Sequence, residues 1–251
     1  VCSRLLAQAV PNITLVAPRP EKLIQLKRTI EAETPAANVT ISTTANDYVS
    51  GADLIVTTTT ALNTRIVDIR QCKPGAVICD IARPPDITEA EAALRPDVLV
   101  IESGEILLPG KPNFGYNIGL PPGVAYACLA ETALLALEGR FEDYTLGRNI
   151  EVERVKEIYR LFKKHRLQLS GLRSHGHFLT DEDIARKRAL ADALRQNPTR
   201  LVAARRQPLP PLQTGTGVAR QTPASVVWVW AGAGAAVAAL AWLMRRKDRG
   251  G

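Results

Sequence analysis

Short apolar, β-branched runs alternate with stretches of helical composition over the first hundred residues. The predicted strands are Asn12–Ala17, Asn38–Ser42, Asp53–Thr57, Ala76–Asp80 and Asp97–Glu102. The predicted helices are Cys2–Gln8, Pro20–Glu33, Asn63–Arg70 and Thr88–Leu94. Strands that alternate with helices in this way pair in parallel. The pattern therefore predicts an α/β fold built on a doubly wound, Rossmann-like parallel sheet.

The expected start of such a sheet is missing from the sequence. A dinucleotide fold opens with a strand and a glycine-rich turn, but the first glycine here is Gly51 and the only methionine is Met244. We therefore expect the chain to be the C-terminal part of a longer protein. In this interpretation the fragment begins just after the phosphate-binding loop, without the first strand and the glycine loop.

A long loop, several helices and a tether are predicted after the sheet. Leu108–Gly123 is rich in glycine and proline and is too long for a simple connection. The predicted helices are Val124–Glu138, the amphipathic Ile150–Leu167, and Asp181–Gln196 with Thr180 and Asp183 in capping-box positions. Pro198–Pro223 is then predicted to be a flexible tether.

The segment Ala224–Met244 has 21 residues without a charge and is followed by Arg245, Arg246 and Lys247. Its length suffices to cross a hydrocarbon core about 30 Å thick, so it predicts a transmembrane helix; a buried or surface-lying helix is the alternative. The predicted organisation is a partial cofactor-binding domain (1–120), a helical region (121–197), a linker (198–223), a transmembrane helix (224–244) and a basic tail (245–251).

The net charge of +7 is concentrated near the C-terminus. Residues 186–251 contain 12 Lys and Arg against 2 Asp and Glu, which leaves the rest of the chain slightly acidic. This distribution argues against a nucleic-acid groove and favours a membrane-surface or linker role for the tail. The four cysteines form no CxxC pair, so neither a zinc site nor a disulfide framework is predicted. We expect a reduced, cytoplasmic location for the body.

The run Ala127–Arg148 (ACLAETALLALEGRFEDYTLGR), with Asn149 after it, resembles the C-terminal part of the long-chain acyl-ACP reductases that form fatty aldehydes. The upstream patterns ADLIV and GAVICDIA resemble the cofactor domain of that family, which is related to shikimate dehydrogenase and glutamyl-tRNA reductase. The resemblance covers about residues 1–167. The chain departs from the family in lacking the glycine loop and the N-terminal acyl-binding region. It also has Asp80–Pro85 (DIARPP) in place of a glycine-rich stretch, and a membrane segment that the soluble members lack.

The resemblance implies an NADPH-dependent oxidoreductase that reduces a long-chain acyl thioester, on acyl carrier protein or CoA, to an aldehyde. Cys128 matches the cysteine that becomes acylated, and a position early in a helix favours a thiolate. Glu131, three residues later and so near the same helix face, is a candidate for proton transfer or for positioning the carrier. The alternatives are that Cys128 is a small core residue packed beside Ala127 and that Glu131 only favours the helix dipole.

The ends of the predicted strands supply the candidate cofactor ligands. Arg19 and Lys22 follow a strand at the place where basic residues select a 2′-phosphate, which predicts NADPH rather than NADH. Thr57, Thr58, Thr59 and Thr60 lie at the end of a central predicted strand, Asp53–Thr57, and are candidates for the nicotinamide side. Solvated surface charges and ordinary strand-end threonines are the alternatives.

Asp80 ends the following strand and is a further candidate cofactor ligand. An ion pair between Asp80 and Arg83 that shapes the loop is the interpretation we favour. His175 and His177 lie in a polar stretch and are expected to be solvated. Two other functions stay open: a dehydrogenase of a small polar substrate, of the shikimate or glutamyl-tRNA reductase type, and a non-catalytic, membrane-tethered nucleotide-fold protein.

Overall fold

The computed structural model describes residues 1–59, 64–82, 84–102, 104–147 and 150–212. The helices are α1 (Cys2–Ala7), α2 (Pro20–Glu33), α3 (Glu89–Ala93), α4 (Ala127–Leu137), α5 (Val152–Lys164), α6 (Asp181–Gln196) and α7 (Pro198–Arg205). The strands are β1 (Asn12–Val16), β2 (Asn38–Ser42), β3 (Leu54–Thr57), β4 (Val77–Asp80), β5 (Leu99–Glu102), β6 (Glu105–Leu107), β7 (Val124–Tyr126), β8 (Gln168–Leu169), β9 (Arg173–Ser174) and β10 (His177–Phe178).

The chain divides into two compact units. The described part of the first unit comprises residues 1–10 together with 104–147 and 150–171. The described part of the second comprises residues within 11–102 together with 172–212.

Parallel strands form the centre of the second unit. β3, β4 and β5 pair in parallel, and the antiparallel strands β9 and β10 extend the β5 side, which gives the order β10-β9-β5-β4-β3. β1 and β2 form a separate parallel pair. The predicted α/β class with parallel strands is confirmed, and the whole architecture is mixed rather than purely parallel.

The core of this unit consists of apolar side chains around β4 and the loop before it. Its buried members are Val49, Val67, Ile69, Cys72, Ala76, Ile78, Ile87, Val98 and Val100. An ion pair between Arg95 and Asp97, with both side chains fully buried, lies in the same unit. Arg95 Nη1 also donates to the carbonyls of Arg70 and Cys72, at 2.8 and 2.9 Å, so the buried cation is satisfied on two sides.

Helix α6 begins with the predicted capping box. The backbone N–H and hydroxyl of Thr180 both donate to Asp183, and the Asp183 N–H donates back to Thr180 Oγ1 at 3.1 Å. At the other end, Arg195 Nη2 donates to the Pro74 carbonyl at 2.7 Å. Gly75, with φ +77°, lies beside Ala191 and Arg195, so a side chain at this turn would collide with the helix.

The first unit packs helices against a small antiparallel sheet. Its strand order is β7-β6-β8, with β6 in the centre. Helix α5 buries one stripe at helical spacing, formed by Val152, Val155, Ile158 and Phe162. The loop between α4 and α5 is fixed by Tyr144, whose ring lies under the guanidinium groups of Arg140 and Arg154, 4.5 and 5.0 Å from its centroid.

Three predicted elements differ from those observed. Residues 64–68 are not helical and only a 3-10 helix, Ile69–Gln71, follows, because Val67 packs into the core and Asp68 caps that short helix. Residues 124–126 form β7 rather than the start of a helix, since they pair with β6. Part of the predicted tether is the helix α7, which Asn197 caps by accepting from the Arg200 N–H at 3.1 Å.

No helix in the described part of the chain is long and apolar enough to cross a membrane. The predicted transmembrane segment Ala224–Met244, the basic tail and residues 213–223 of the predicted linker lie outside the described residues. The same holds for Thr60, Arg83, Arg148 and Asn149.

Candidate functional site

The carboxyl ends of β3, β4 and β5 bring polar side chains together in the second unit. Thr57 is in register with Asp80, and Asp80 with Glu102. Thr57 and Asp80 are buried, and Thr57 Oγ1 donates to Asp80 Oδ1 at 3.1 Å. Ligands of parallel α/β sheets bind outside this end of the strands. This edge is therefore the candidate ligand site of the unit.

Asp80 holds the loop that follows its own strand. Its carboxylate accepts from the backbone N–H groups of Ala82 and Ile87, both at 3.0 Å. Burial raises the pKa of Asp80, while these hydrogen bonds oppose the change. The favoured interpretation, that Asp80 shapes the loop, is consistent with these contacts, although the expected partner Arg83 lies outside the described residues. Contact between Asp80 and a cofactor stays a prediction.

Thr58 and Thr59 are also buried, directly after β3. The Thr59 hydroxyl donates to Asp86, and the Thr59 N–H donates to Asp86 Oδ2 at 3.3 Å. Asp86 thus ties the end of β3 to the loop after β4. Sequence reasoning did not single out Asp86, because its partner is 27 residues away and no local pattern marks the pair.

A hairpin adds a histidine to the same edge. His175 and Gly176 form its turn with φ +47° and +84°, and His175 Nε2 lies 3.0 Å from the Ile87 carbonyl oxygen. The Gly176 N–H donates to Glu102 Oε1 at 2.8 Å. His175 is half-buried, so the expectation of a solvated side chain is wrong for this residue. The SHGH sequence, with a glycine in a two-residue turn, was the available signal for a hairpin.

Arg19 and Lys22 lie where the sequence predicted them, at the junction after β1. Arg19 is the N-cap of α2 and is half-buried, whereas Lys22 is exposed in the first turn. The Lys22 N–H donates to the Arg19 carbonyl at 3.2 Å. Contact of either side chain with a ligand phosphate stays a prediction.

Cys128 and Glu131 belong to the first unit. Cys128 is the second residue of α4 and is exposed, so the alternative that it is a packed core residue is wrong. Glu131 is 7% exposed and accepts a hydrogen bond from the Thr145 hydroxyl. The prediction that the two side chains share one helix face is therefore wrong, because the boundary between the exposed and buried faces of α4 runs between them.

Glu131 borders a small, mostly apolar cavity. The other lining residues are Ile106, Ala127, Ala130, Leu134, Ile158 and Phe162. Because this surrounding gives little solvation to a charge, burial raises the pKa of Glu131, and the Thr145 hydrogen bond offsets part of the effect. The Glu131 carboxyl is thus shielded from water. A role for Glu131 in catalysis stays a prediction.

The other cysteines differ from Cys128 in exposure. Cys2 and Cys72 are buried and Cys79 is half-buried, and none of the four cysteines forms a disulfide bond. Burial raises the pKa of Cys72 to about 12. No cluster of three or more His, Cys, Asp or Glu side chains suited to a metal ion occurs in the described ranges.

The chain is similar to the aminotransferase PigE of Serratia sp. (strain ATCC 39006). The two sequences are 32% identical over 143 residues, which is 56% of this chain and 16% of PigE. The chain thus spans about one sixth of the length of this curated relative. No protein-family profile matches the chain. The similarity identifies the chain as related to a segment of an enzyme, and the resemblance to acyl-ACP reductases stays a prediction.

This comparison overturns the predicted function and cofactor. The sequence indicated NADPH-dependent reduction of a long-chain acyl thioester through Cys128, but the relative is named an aminotransferase. Transamination uses pyridoxal phosphate as an electron sink and needs no hydride from NADPH. The assignments of NADPH as cofactor and of aldehyde formation as the activity are corrected accordingly.

Proposed function

We propose that the second unit of this chain is a substrate-binding domain of a larger aminotransferase-like enzyme, and that pyridoxal phosphate is held elsewhere in that enzyme. The substrate assigned to the domain is the one that carries an amino group. The single observation that supports this assignment is the excess of carboxylates at the carboxyl ends of β3, β4 and β5. Asp80, Asp86 and Glu102 lie there, and Arg173 is in register with Glu102.

The described lysines do not fit a pyridoxal phosphate site. That cofactor is held through a Schiff base to a lysine, with an acidic or basic partner for the ring nitrogen. Lys187 is the best candidate, since burial lowers its pKa. Its ammonium, however, donates to the carbonyls of Pro96 and Val98, at 3.1 and 3.3 Å, just before β5 begins. That position is at the amino end of the strand, away from the polar edge.

The other described lysines are engaged at the surface or exposed. Lys73 pairs with Asp53, and Lys164 with Glu138. Lys73 lies before β4, at the amino end of the second unit's strands, and Lys164 is not among the residues that line the first unit's cavity beside Glu131. A domain that binds the amino substrate while another part of the enzyme holds the cofactor is consistent with this distribution.

The assignment of the substrate is tested by removing one charge at the polar edge. In the whole enzyme that contains this chain, Asp86→Asn keeps an oxygen for the Thr59 hydroxyl but removes the negative charge. We expect KM for the amino donor to rise about tenfold, the effect of losing one partly shielded ion pair. The turnover number and the pyridoxal phosphate content, read from its absorbance, should be unchanged.

The matched control is Asp53→Asn, just before β3 and so at the amino end of the strands, where the side chain is 84% exposed. This variant should leave KM unchanged. An unaltered KM in Asp86→Asn would refute the substrate assignment. Borohydride reduction with pyridoxal phosphate followed by peptide mass spectrometry tests the location of the cofactor. A stoichiometric adduct on a lysine of this chain would refute the proposal that another part of the enzyme holds pyridoxal phosphate.

We also propose that Ala224–Met244 attaches the protein to a membrane. The proposal rests on the sequence of this segment, which is uncharged over 21 residues and is followed by basic residues. It is independent of the substrate assignment.

A further inference from the structure

The residues that follow α7 are held on the second unit by hydrogen bonds to their carbonyl groups. Arg70 Nη1 donates to the Gln207 carbonyl oxygen at 2.7 Å, and Arg65 Nη2 donates to the Pro210 carbonyl oxygen at 2.8 Å. The donors lie 137 and 145 residues before their acceptors in the chain. Residues 207–212 thus form a strap on the unit, although the sequence predicted a flexible tether here.

The sequence of the strap, QPLPPL, restricts its backbone to one extended conformation. Proline fixes φ near about −65°, and a residue that precedes a proline is driven from the helical region into the extended one. Prolines occupy positions 208, 210 and 211, so each residue from Gln207 to Pro211 is a proline, precedes one, or does both. Such a segment favours the polyproline II helix before it makes any contact.

The contacts of the strap follow the three-residue period of that helix. Polyproline II has three residues per turn and a rise of about 3.1 Å per residue. The bonded carbonyls of Gln207 and Pro210 are three residues apart, which puts them on one side at roughly 9 Å from each other. Pro208 and Pro211, also three residues apart, are both exposed, whereas Leu209 and Pro210 are half-buried. The strap therefore directs these two carbonyls to the unit and these two prolines to solvent.

A carboxylate orients each arginine so that one nitrogen is directed at the strap. Arg70 Nε and Nη2 donate to the two oxygens of Asp68 at 2.9 and 2.7 Å. Arg65 Nε donates to Glu91 Oε1 at 2.5 Å, and Glu91 is itself held by the Thr88 N–H in the capping box of α3. Side chains that are oriented in advance lose little freedom on binding, and their charge strengthens the hydrogen bonds that they donate.

This arrangement suits the recognition of a polyproline II segment. Such a segment has no internal hydrogen bonds, so its carbonyls are open to donors, and its preformed backbone loses little entropy on binding. Proline offers a carbonyl but no N–H, so a surface that binds prolines through their backbone must supply donors. Arg65 and Arg70 supply two donors at the spacing of one turn.

We propose that Arg65 and Arg70, with their carboxylate partners, form a recognition site for polyproline II segments, and that the strap is the ligand that this site holds in cis. When the strap is released, the site accepts a proline-rich segment of the same kind in trans. The strap is held at few points, since α7 before it has no buried residue and Leu212 is 42% exposed. Competition in cis is set by an effective concentration on the order of millimolar.

Fluorescence anisotropy with a labelled peptide of residues 207–212 tests the proposal. The protein is the chain 1–251, either unchanged or carrying Pro208→Gly, Pro210→Gly and Pro211→Gly together. Glycine keeps every carbonyl of the strap but frees φ, so the strap of this triple variant competes less well for the site. We expect the triple variant to bind the peptide at least about tenfold more tightly than the unchanged chain does.

Further variants assign the binding to the two arginines. Added to the triple variant, Arg65→Gln or Arg70→Gln should weaken peptide binding at least about tenfold, because each removes one charge-assisted hydrogen bond. Arg186→Gln is the matched control on α6 of the same unit. The Arg186 side chain is 64% exposed and pairs with Asp183 on its own helix, so this change should leave peptide binding unaltered.

A modified peptide gives a test that needs no change at the arginines. With D-proline at its three proline positions, the peptide requires φ near about +65° and cannot form the left-handed polyproline II helix. It keeps the same composition and carbonyl groups, and we expect it not to bind the triple variant.

Three results would overturn the proposal. Absence of peptide binding to the triple variant would show that the surface is not a ligand site. Equal affinity of the triple variant and the unchanged chain would show that the strap does not occupy the site. Equal binding of the L- and D-proline peptides, or binding that survives the loss of both arginines, would place the peptide elsewhere. These measurements involve neither an amino substrate nor pyridoxal phosphate, so they test the site separately from the proposed function.

Discussion

Arg95 and Asp97 place a complete ion pair in the core of the second unit. Arg95 Nε and Nη2 donate to the two oxygens of Asp97 at 2.8 and 2.7 Å, in the planar fork that only arginine can form. We expect Arg95→Ala to lower the free energy of unfolding by about 3–5 kcal/mol, because Asp97 would be left charged and buried. Urea denaturation measures the change.

An exposed pair provides the contrast for this measurement. Lys156 donates to Glu153 at 2.7 Å on the surface of α5. Lys156→Ala should change the free energy of unfolding by at most about 0.5 kcal/mol. Equal effects of Arg95→Ala and Lys156→Ala would show that the Arg95 pair is hydrated in solution.

Glu131 makes stability depend on pH in a defined direction. Because burial raises its pKa, the folded protein binds this proton more tightly than the unfolded chain does. The contribution of Glu131 to stability therefore falls as pH rises from about 4.3, the ordinary glutamate pKa, to the raised value, and is constant above it. Glu131→Gln keeps an acceptor for Thr145 and cannot ionise. Across this pH range we expect the free energy of unfolding of Glu131→Gln to rise by about 1 kcal/mol relative to that of wild type.

The measurement is the difference in unfolding free energy between variant and wild type from pH 4 to pH 8. Glu153→Gln serves as the control, because hydrogen bonding to Lys156 lowers the pKa of Glu153. The difference in unfolding free energy between Glu153→Gln and wild type should change only slightly with pH, and in the opposite direction. A flat curve for Glu131→Gln would contradict the buried, poorly solvated carboxyl described above.

The exposure of the cysteines predicts a separation of their reactivity. Cys128 is exposed, whereas Cys2 and Cys72 are buried with raised pKa values. In the native protein we expect iodoacetamide to modify Cys128 at least about 100-fold faster than Cys72, because only an accessible thiolate reacts. Peptide mass spectrometry over time gives the rates, and in urea they should become similar. Comparable native rates would mean that the helix α4 does not present Cys128 to solvent.

At the scale of elements, β3 offers a direct comparison of its two edges. The Val77 and Ile81 N–H groups of the β4 side donate to the carbonyls of Asp53 and Thr57, so the backbone of Ile55 also faces β4 and that of Val56 faces the other edge of β3. In the chain 1–251 we expect Ile55→Pro to lower the free energy of unfolding by about 1–3 kcal/mol, because a strand hydrogen bond is lost. Val56→Pro should lower the free energy of unfolding clearly less, since the Val56 N–H has no strand partner among the residues that the structure describes. Thermal or urea unfolding of both variants measures the difference, and equal costs would contradict the assignment of the two edges.

The parallel strands and the longer helices could be predicted from the sequence because their signals are local. Asn38–Ser42 and Pro20–Glu33 were predicted with the bounds observed, and the capping box of Thr180 and Asp183 is confirmed. Apolar runs bounded by turn residues fix such elements before any tertiary contact forms. The remaining parallel strands were predicted to within two residues at each end.

The elements that were missed depend on distant partners. β7 has the composition of a helix start but pairs with β6, about 20 residues earlier. The two-residue strands β9 and β10 depend on pairing with each other and with β5. The link between Thr59 and Asp86 is of the same kind, which is why the candidate site could be placed at the strand ends but its internal hydrogen bonds could not.

At the scale of the whole molecule, the two units present different chemistry. The second unit has carboxylates and a histidine at the ends of parallel strands. The first unit has an exposed thiol, Cys128, and a buried carboxyl, Glu131, both on α4. Neither presents a lysine suited to pyridoxal phosphate among the residues described. The similarity to PigE covers 16% of that protein, so a division of binding and cofactor chemistry between parts of a longer enzyme is consistent with both observations.

Membrane attachment is the prediction that concerns the entire chain. If Ala224–Met244 enters the bilayer, the chain 1–251 should float with liposomes and resist extraction by carbonate at high pH, because removing about 20 apolar residues from hydrocarbon is strongly unfavourable. Replacing Val229 and Ala236 by Arg puts two charges into the segment and should release the protein to the aqueous fraction. Replacing both by Leu is the control and should leave flotation unchanged. Flotation of the Arg variant to the same extent would place the membrane contact elsewhere in the chain, and recovery of the unmodified chain in the aqueous fraction would refute attachment.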